Sequence, residues 1–275
     1  MAKVDRGARE AAGGRRGRLS FVLFLLLSIC AAQAVAGETR CWLDRGAVVV
    51  PAAFGDIAGD FILDLAGPSS ALHDTRANAD GLTGPSATAP LRVAGAALGE
   101  TTLPIVDLDA ETAPFATSIN GILGSDVTRG RILTLDFRKG RCRLTLGRAA
   151  RTVRRTADVQ LGVVWTGGVP AVRALTSDGV RTRAGLFALG TARAATVVVR
   201  ARLSRKADGE APVRLRAVEL GGRLFEQVPA DIGPAPAEGL AGAIGTAVLS
   251  HGRLMLDGRR GLLILQWPTL RQMDR

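Results

Sequence analysis

The chain has 275 residues with 36 basic and 25 acidic side chains, a net charge of +11 and a hydrophobic fraction of 47%. Enough apolar surface is present to offset the entropy of ordering, which excludes a disordered or fibrous chain, and the length suits one large domain or two small ones. With three Trp, eight Phe and no Tyr, rings for stacking bases are scarce and no nucleic-acid partner is expected; two His and three Cys without close spacing argue against a metal, and no phosphate-cradling glycine motif calls for a cofactor.

In chain order, residues 1–36 read as an export signal. Lys3, Arg6, Arg9, Arg15, Arg16 and Arg18 precede an apolar run from Leu19 to Ala32, and Ala34-Val35-Ala36 supplies small residues for cleavage. The expected location is therefore secreted or periplasmic, with no stable membrane span after cleavage; an uncleaved signal anchoring the chain to the inner membrane is the alternative. Cleavage removes six basic and two acidic residues and leaves about +7. It also removes Cys30 and leaves Cys41 and Cys142 as an even pair in an oxidising compartment, for which one disulfide is the natural reading and two buried thiols the alternative.

Residues 37–147 form the first expected lobe. Ala47 to Phe54, Asp60 to Leu65, Leu91 to Val93, Leu103 to Leu108, Ile132 to Phe137 and Cys142 to Leu146 are short apolar runs bounded by Gly, Pro and Asp, the pattern of antiparallel strands. Only the stretch after Ser70 and Gly124 to Gly130 suit a helical turn or two. An Arg-rich linker over 148–160, a second lobe over 161–266 and a tail over 267–275 follow. The fold class is all-β with minor helix.

The chain repeats itself. Gly121, Gly124, Val127, Leu133, Leu135, Asp136, Arg138, Gly140 and Leu144 recur, without a gap, as Gly242, Gly245, Val248, Leu254, Leu256, Asp257, Arg259, Gly261 and Leu265. Upstream, Phe61-Ile62-Leu63 matches Phe187-Ala188-Leu189, Val50-Pro51-Ala52 matches Val169-Pro170-Ala171, and Leu98-Gly99 matches Leu220-Gly221. Arg138-Lys139-Gly140-Arg141 and Arg259-Arg260-Gly261-Leu262 read as hairpin turns whose Gly supplies positive φ. Asp136 and Asp257 read as groups that order those turns.

Phe61-Ile62-Leu63-Asp64, then Ala66-Gly67-Pro68-Ser69-Ser70, then Ile119-Asn120-Gly121-Ile122-Leu123-Gly124 and a hairpin with Leu135-Asp136-Phe137 resemble a retropepsin-like aspartic protease lobe, whose loop follows F-L-L-D-T-G-A. The resemblance implies two tandem acid-protease β-barrel lobes related by pseudo-twofold symmetry, each supplying one catalytic Asp at their interface. Such a pair, about 3 Å apart, shares a proton, one carboxyl acting as base on water and the other donating to the substrate carbonyl. The Thr after each Asp braces the loops and the Gly permits close approach.

Against that pattern, Asp64 holds the first Asp position, followed by Leu65 and Ala66 in place of Thr and Gly. In the second lobe Gly190, Thr191 and Ala192 occupy the motif, so the second Asp is missing and the two Ala are expected to crowd the loops. Asp64 is the candidate catalytic residue, with a turn cap as its plain reading and an ordinary acidic pKa expected in the absence of a partner carboxylate. Asp126 aligns with Ala247 in the repeat and is no symmetric requirement. Ser69 and His73 lack the third group of a hydrolase triad, and His251 reads as a surface residue. Gly81 to Ala89 and Ser204 to Ala211 stand where the family carries flaps, the first too short to close a cleft.

The expected function is a peptide- or protein-binding pseudoprotease with its ligand in the interlobe cleft. Two alternatives stand beside it: an active aspartic endopeptidase formed by dimerisation through Asp64, and a basic envelope-binding β protein that holds anionic envelope polymers.

Overall fold

The computed structural model describes residues 37–147, 159–204 and 213–268. The expected export signal, most of the basic linker and the tail beyond 268 lie outside the described residues. Among the described residues no helix is long and apolar enough to cross a membrane.

The first repeat contains β1 (Gly37–Asp44), β2 (Ala47–Phe54), β3 (Ile57–Leu63), β4 (Ala71–His73), helix α1 (Asp74–Ala79), β5 (Ser86–Val93), β6 (Ala96–Val106), helix α2 (Asp109–Thr112), β7 (Ile119–Leu123), β8 (Ile132–Asp136) and β9 (Cys142–Gly147). The second contains β10 (Val159–Gly162), β11 (Val164–Thr166), β12 (Val169–Ser177), β13 (Thr182–Leu189), β14 (Thr196–Val198), β15 (Val213–Leu220), β16 (Arg223–Ile232), β17 (Gly242–Ile244), helix α3 (Thr246–Leu249), β18 (Arg253–Asp257) and β19 (Leu262–Gln266). Val159 and Gln160, placed in the linker by sequence, are strand residues paired with Leu265 and Ile264.

Each repeat closes a barrel. In the first the order is β2-β3-β7-β4-β6-β5, with β5 returning to β2; in the second it is β12-β13-β17-β14-β16-β15, with β15 returning to β12. Closure leaves these strands without a free edge. The chain is all-β with minor helix, as the sequence patterning implies, and it forms two barrels, as the family resemblance implies.

Between the barrels lies a third structure that the repeat alone does not announce. The closing hairpins β8–β9 and β18–β19 pair with each other through β8 and β18, giving the order β10-β19-β18-β8-β9-β1. Thr134 faces Met255, and Leu133 faces Leu256 while Leu135 faces Leu254. Thr134 and Met255 are also repeat equivalents, so a local twofold axis passes between them. Leu133, Leu135, Leu144, Leu146, Leu254, Leu256, Leu263 and Leu265 on one face are buried in the common core, each contributing roughly 1.5–3 kcal/mol by leaving water. One face of a shared sheet thus supplies floor to both lobes.

The hairpin turns follow the sequence reading. Gly140 and Gly261 have φ of 64° and 61°, values that an L side chain adopts only under strain. The Asp136 carboxylate accepts the Arg138 N–H at 3.1 Å, and the Asp257 carboxylate accepts the N–H groups of Arg259 and Arg260 at 3.0 and 3.1 Å. Burial works to raise the Asp136 pKa, but hydrogen bonds and charge from Arg138 outweigh it and hold the carboxyl below its usual range.

Two upstream sequence matches are out of structural register. Phe61 faces Val50 and Phe187 faces Val172, so the counterpart of Val50 is Val172, not Val169. The β5–β6 hairpin turns between Val93 and Ala96, whereas β15–β16 turns between Leu220 and Arg223, so Leu220 corresponds to Val93 rather than to Leu98. Short matches of common residues slip because strand position is set by turns and ladder pairing. The Phe61 to Phe187 match holds: Phe61 pairs in parallel with Gly121, and Phe187 with Gly242.

Cys41 and Cys142 face each other across β1 and β9 and form a disulfide with Cα atoms 4.8 Å apart. It ties the first strand of the lobe to the last.

Candidate active-site cleft

Strand β3 ends at Leu63 and β13 at Leu189, and the next residue of each makes the same backbone bond. Asp64 N–H donates to the Leu123 carbonyl and Gly190 N–H to the Ile244 carbonyl, both at 2.8 Å. Leu123 and Ile244 are themselves repeat equivalents. Gly190 therefore occupies the position related to Asp64, and no carboxylate stands there.

Asp64 is half-buried at the end of its strand. One carboxyl oxygen accepts the Ala66 N–H at 3.0 Å, the turn-capping bond of the plain reading. The expectation of an ordinary pKa is corrected here. Burial pushes the Asp64 pKa up, outweighing the opposing Ala66 N–H bond, the Arg193 charge and the Gly67 N–H bond. The missing partner charge was only one of the available causes; desolvation by the surrounding loops acts without it.

The brace between the lobes survives on one side. Thr191 is fully buried; its hydroxyl accepts the Leu65 N–H at 3.0 Å and donates to the Leu63 carbonyl at 2.6 Å. Val48 N–H adds a bond to the Thr191 carbonyl at 2.8 Å. The related side has neither partner: Leu65 has no hydroxyl, and Pro170, which follows Val169 as Val48 follows Ala47 across equivalent turns, has no N–H.

Two further bonds join the lobes about the same axis, and the sequence reading did not foresee them. Ser125 Oγ donates to the Gly168 carbonyl at 2.7 Å, and its repeat equivalent Thr246 donates through Oγ1 to the Gly46 carbonyl. Conservative Ser and Thr at matching places beside the repeated Gly124 and Gly245 were the available signal.

Nor do Ala66 and Ala192 crowd the loops. Ala66 packs against a buried second-repeat cluster made of Val169, Ala171, Ala188, Val197, Leu240 and Ala243, and Ala192 against a first-repeat cluster made of Ala47, Val49, Ile62 and Ile119. Each methyl is thus packed against apolar residues of the opposite lobe.

Asp64, Ala66, Gly190, Ala192 and Arg193 line a cavity of about 400 Å³, walled further by Val197, Asp231, Ile232, Pro234, Ala235 and Pro236. Apart from the Asp64 loop the walls come from the second repeat, and no residue between 80 and 106 contributes. Residues 205–211 of the second flap segment lie outside the described residues. Asp231 is the second carboxylate of the cavity. It sits on β16, three strands from β13 in the order β13-β17-β14-β16, whereas Gly190 follows β13 directly, so it does not occupy the Gly190 position. Arg193, Asp231 and the Pro-rich segment escaped the sequence reading because their approach depends on barrel closure.

The other candidates have structural partners. Asp126 accepts the Ser70 N–H at 2.9 Å and the Ser70 hydroxyl at 2.7 Å, fixing the loop that follows Asp64. His73 is buried between Asp74 at 3.0 Å and Asp109 at 3.2 Å, whereas Ser69 is exposed. His251 is exposed, with its ring 5.1 Å from that of Phe225. Among the described residues no three His, Cys, Asp or Glu side chains converge as metal ligands.

No protein-family model and no curated protein sequence matches the chain. Among solved structures it is similar to the crystal structure of an aspartic proteinase from Irpex lacteus, with a TM-score of 0.52 and 13% identity over 86% of this chain and 98% of that one. The fold is that of the two-lobed aspartic proteinases. At such identity the likeness concerns the fold, and the chemistry rests on the residues just described.

Proposed function

We propose that this aspartic-proteinase-like chain is an exported pseudoprotease that binds an extended peptide or protein segment in the cleft over Asp64. The observation that carries the reading is Gly190, which makes the backbone bond of Asp64 on the opposite lobe and presents no carboxyl. One carboxyl cannot serve as base toward water and simultaneously donate to the carbonyl oxygen. The apolar walls Val197, Ile232, Pro234 and Pro236, with Arg193 and Asp231 beside them, give side-chain pockets and polar anchors of the kind that orient a peptide.

The test combines a peptide-binding titration with a proteolysis assay from about pH 3 to 7, the range in which carboxylate dyads operate. Peptides selected on the immobilised protein bind in solution without cleavage, Ala235→Trp blocks binding by filling the cavity, and Asp64→Asn leaves binding within about threefold, about 0.65 kcal/mol. Gly190→Asp alone restores no full activity, since a Cβ there lies 3.0 Å from the Ile244 carbonyl oxygen and Leu65 leaves the brace incomplete. Pepstatin-sensitive acid cleavage that disappears in Asp64→Asn would overturn the proposal in favour of a dimeric protease.

A further inference from the structure

At the edge of the shared sheet, β1 and β9 place two arginines directly against each other. Arg40 faces Arg143 in the antiparallel ladder, one step from the Cys41–Cys142 pair. Like charges so placed oppose pairing. Arg141 continues β9 backwards in extended conformation, two residues from Arg143, so the two side chains leave on the same face. All three arginines are exposed. With Trp42, Phe137, Gly140, Ser250 and the disulfide they line a groove of about 750 Å³ that contains no acidic side chain.

The neighbouring carboxylates do not neutralise the cluster. Glu38 binds Arg143, but both side chains are about half exposed (49% and 50%), which makes the pair weak. Asp136, next in line to Arg143 on β8, is already held by Arg138 through two bonds at 2.9 and 2.6 Å. Among the described residues no carboxylate pairs with Arg40 or Arg141. The groove keeps two unpaired guanidiniums in a rigid frame fixed by a disulfide.

We propose that this groove is a binding site, separate from the cleft, for an extended polyanion bearing phosphate groups. Guanidinium forks match tetrahedral oxyanions in bidentate geometry. Positions about 5 Å apart across the ladder and about 7 Å apart along β9 suit successive charges of a flexible polymer. A bound phosphate chain relieves the opposition of Arg40 and Arg143, so the site gains more from a polyanion than an isolated surface arginine does. Trp42 is the one partly exposed ring in the groove, too few for a stacking platform, which favours a phosphate polymer over single-stranded nucleic acid.

The test is a titration of the purified protein with inorganic polyphosphate across a salt series. The variant Arg40→Gln/Arg141→Gln/Arg143→Gln is compared with an equally discharged control, Arg92→Gln/Arg173→Gln/Arg216→Gln, at exposed positions elsewhere. The groove variant loses about tenfold or more in affinity, its slope of log K against log salt falling by about 2 to 3, whereas the control loses less than about threefold. Equal losses in both variants, or none in either, overturn the proposal, as does tighter binding of single-stranded DNA than of polyphosphate. Should the triple variant fail to fold, Arg40→Gln/Arg141→Gln keeps the Arg143–Glu38 pair and reads the same contrast.

Discussion

Replacing Thr191 by Val keeps the shape of a fully buried side chain and removes the hydroxyl that joins the two lobes. The Leu65 N–H, now accepted at 3.0 Å, loses its partner in a place that water does not reach, and an unsatisfied buried donor costs about 1–3 kcal/mol. The bond at 2.6 Å to the Leu63 carbonyl is lost as well, for about 0.5–1.5 kcal/mol. The extra buried methyl returns about 0.8 kcal/mol. The net expectation is a loss of about 1–4 kcal/mol, which in a protein of this size lowers Tm by roughly 2–15 °C. Urea unfolding and scanning calorimetry read the change, with Thr191→Ser as the control that keeps the hydroxyl and loses less than about 1.5 kcal/mol. A Val variant within about 0.5 kcal/mol of the parent, the scatter of a neutral substitution, or a Ser variant as weak as the Val variant, refutes the one-sided brace.

Asp64→Asn tests the buried carboxyl by its pH dependence. Because burial raises the folded-state pKa above the ordinary 3.8, the native protein holds more protons than the unfolded chain between those two values, and this group's contribution to stability falls as pH rises through the window. The Tm of the Asn variant relative to the parent therefore increases from pH 3 to pH 7; a decrease contradicts the desolvation argument. Cys41→Ser/Cys142→Ser opens a link spanning 101 residues and lowers stability by about 2–5 kcal/mol. Non-reducing mass spectrometry shows the two cysteines joined in the parent, and full alkylation without reduction excludes the bond.

The repeat of glycines and leucines from Gly121 to Leu144 and from Gly242 to Leu265 was legible in the sequence because those residues answer local requirements: a turn needing positive φ, a strand face needing Leu, an Asp ordering the turn. The same locality made Asp64, Gly190 and Thr191 recognisable as related positions before any contact was known. Short strand matches were less secure, since a slip of a few common residues costs a sequence comparison little while the ladder between Val172 and Phe187 admits one register. Only tertiary structure decided that the hairpins of the two repeats join through Thr134 and Met255, that Thr191 braces Leu63 and Leu65 from 128 and 126 residues away, and that Arg40 opposes Arg143. It also decided the state of Asp64, because desolvation depends on what surrounds a carboxyl in space, and the residues that surround this one are brought there by barrel closure and by a twofold packing of lobes that no local pattern encodes.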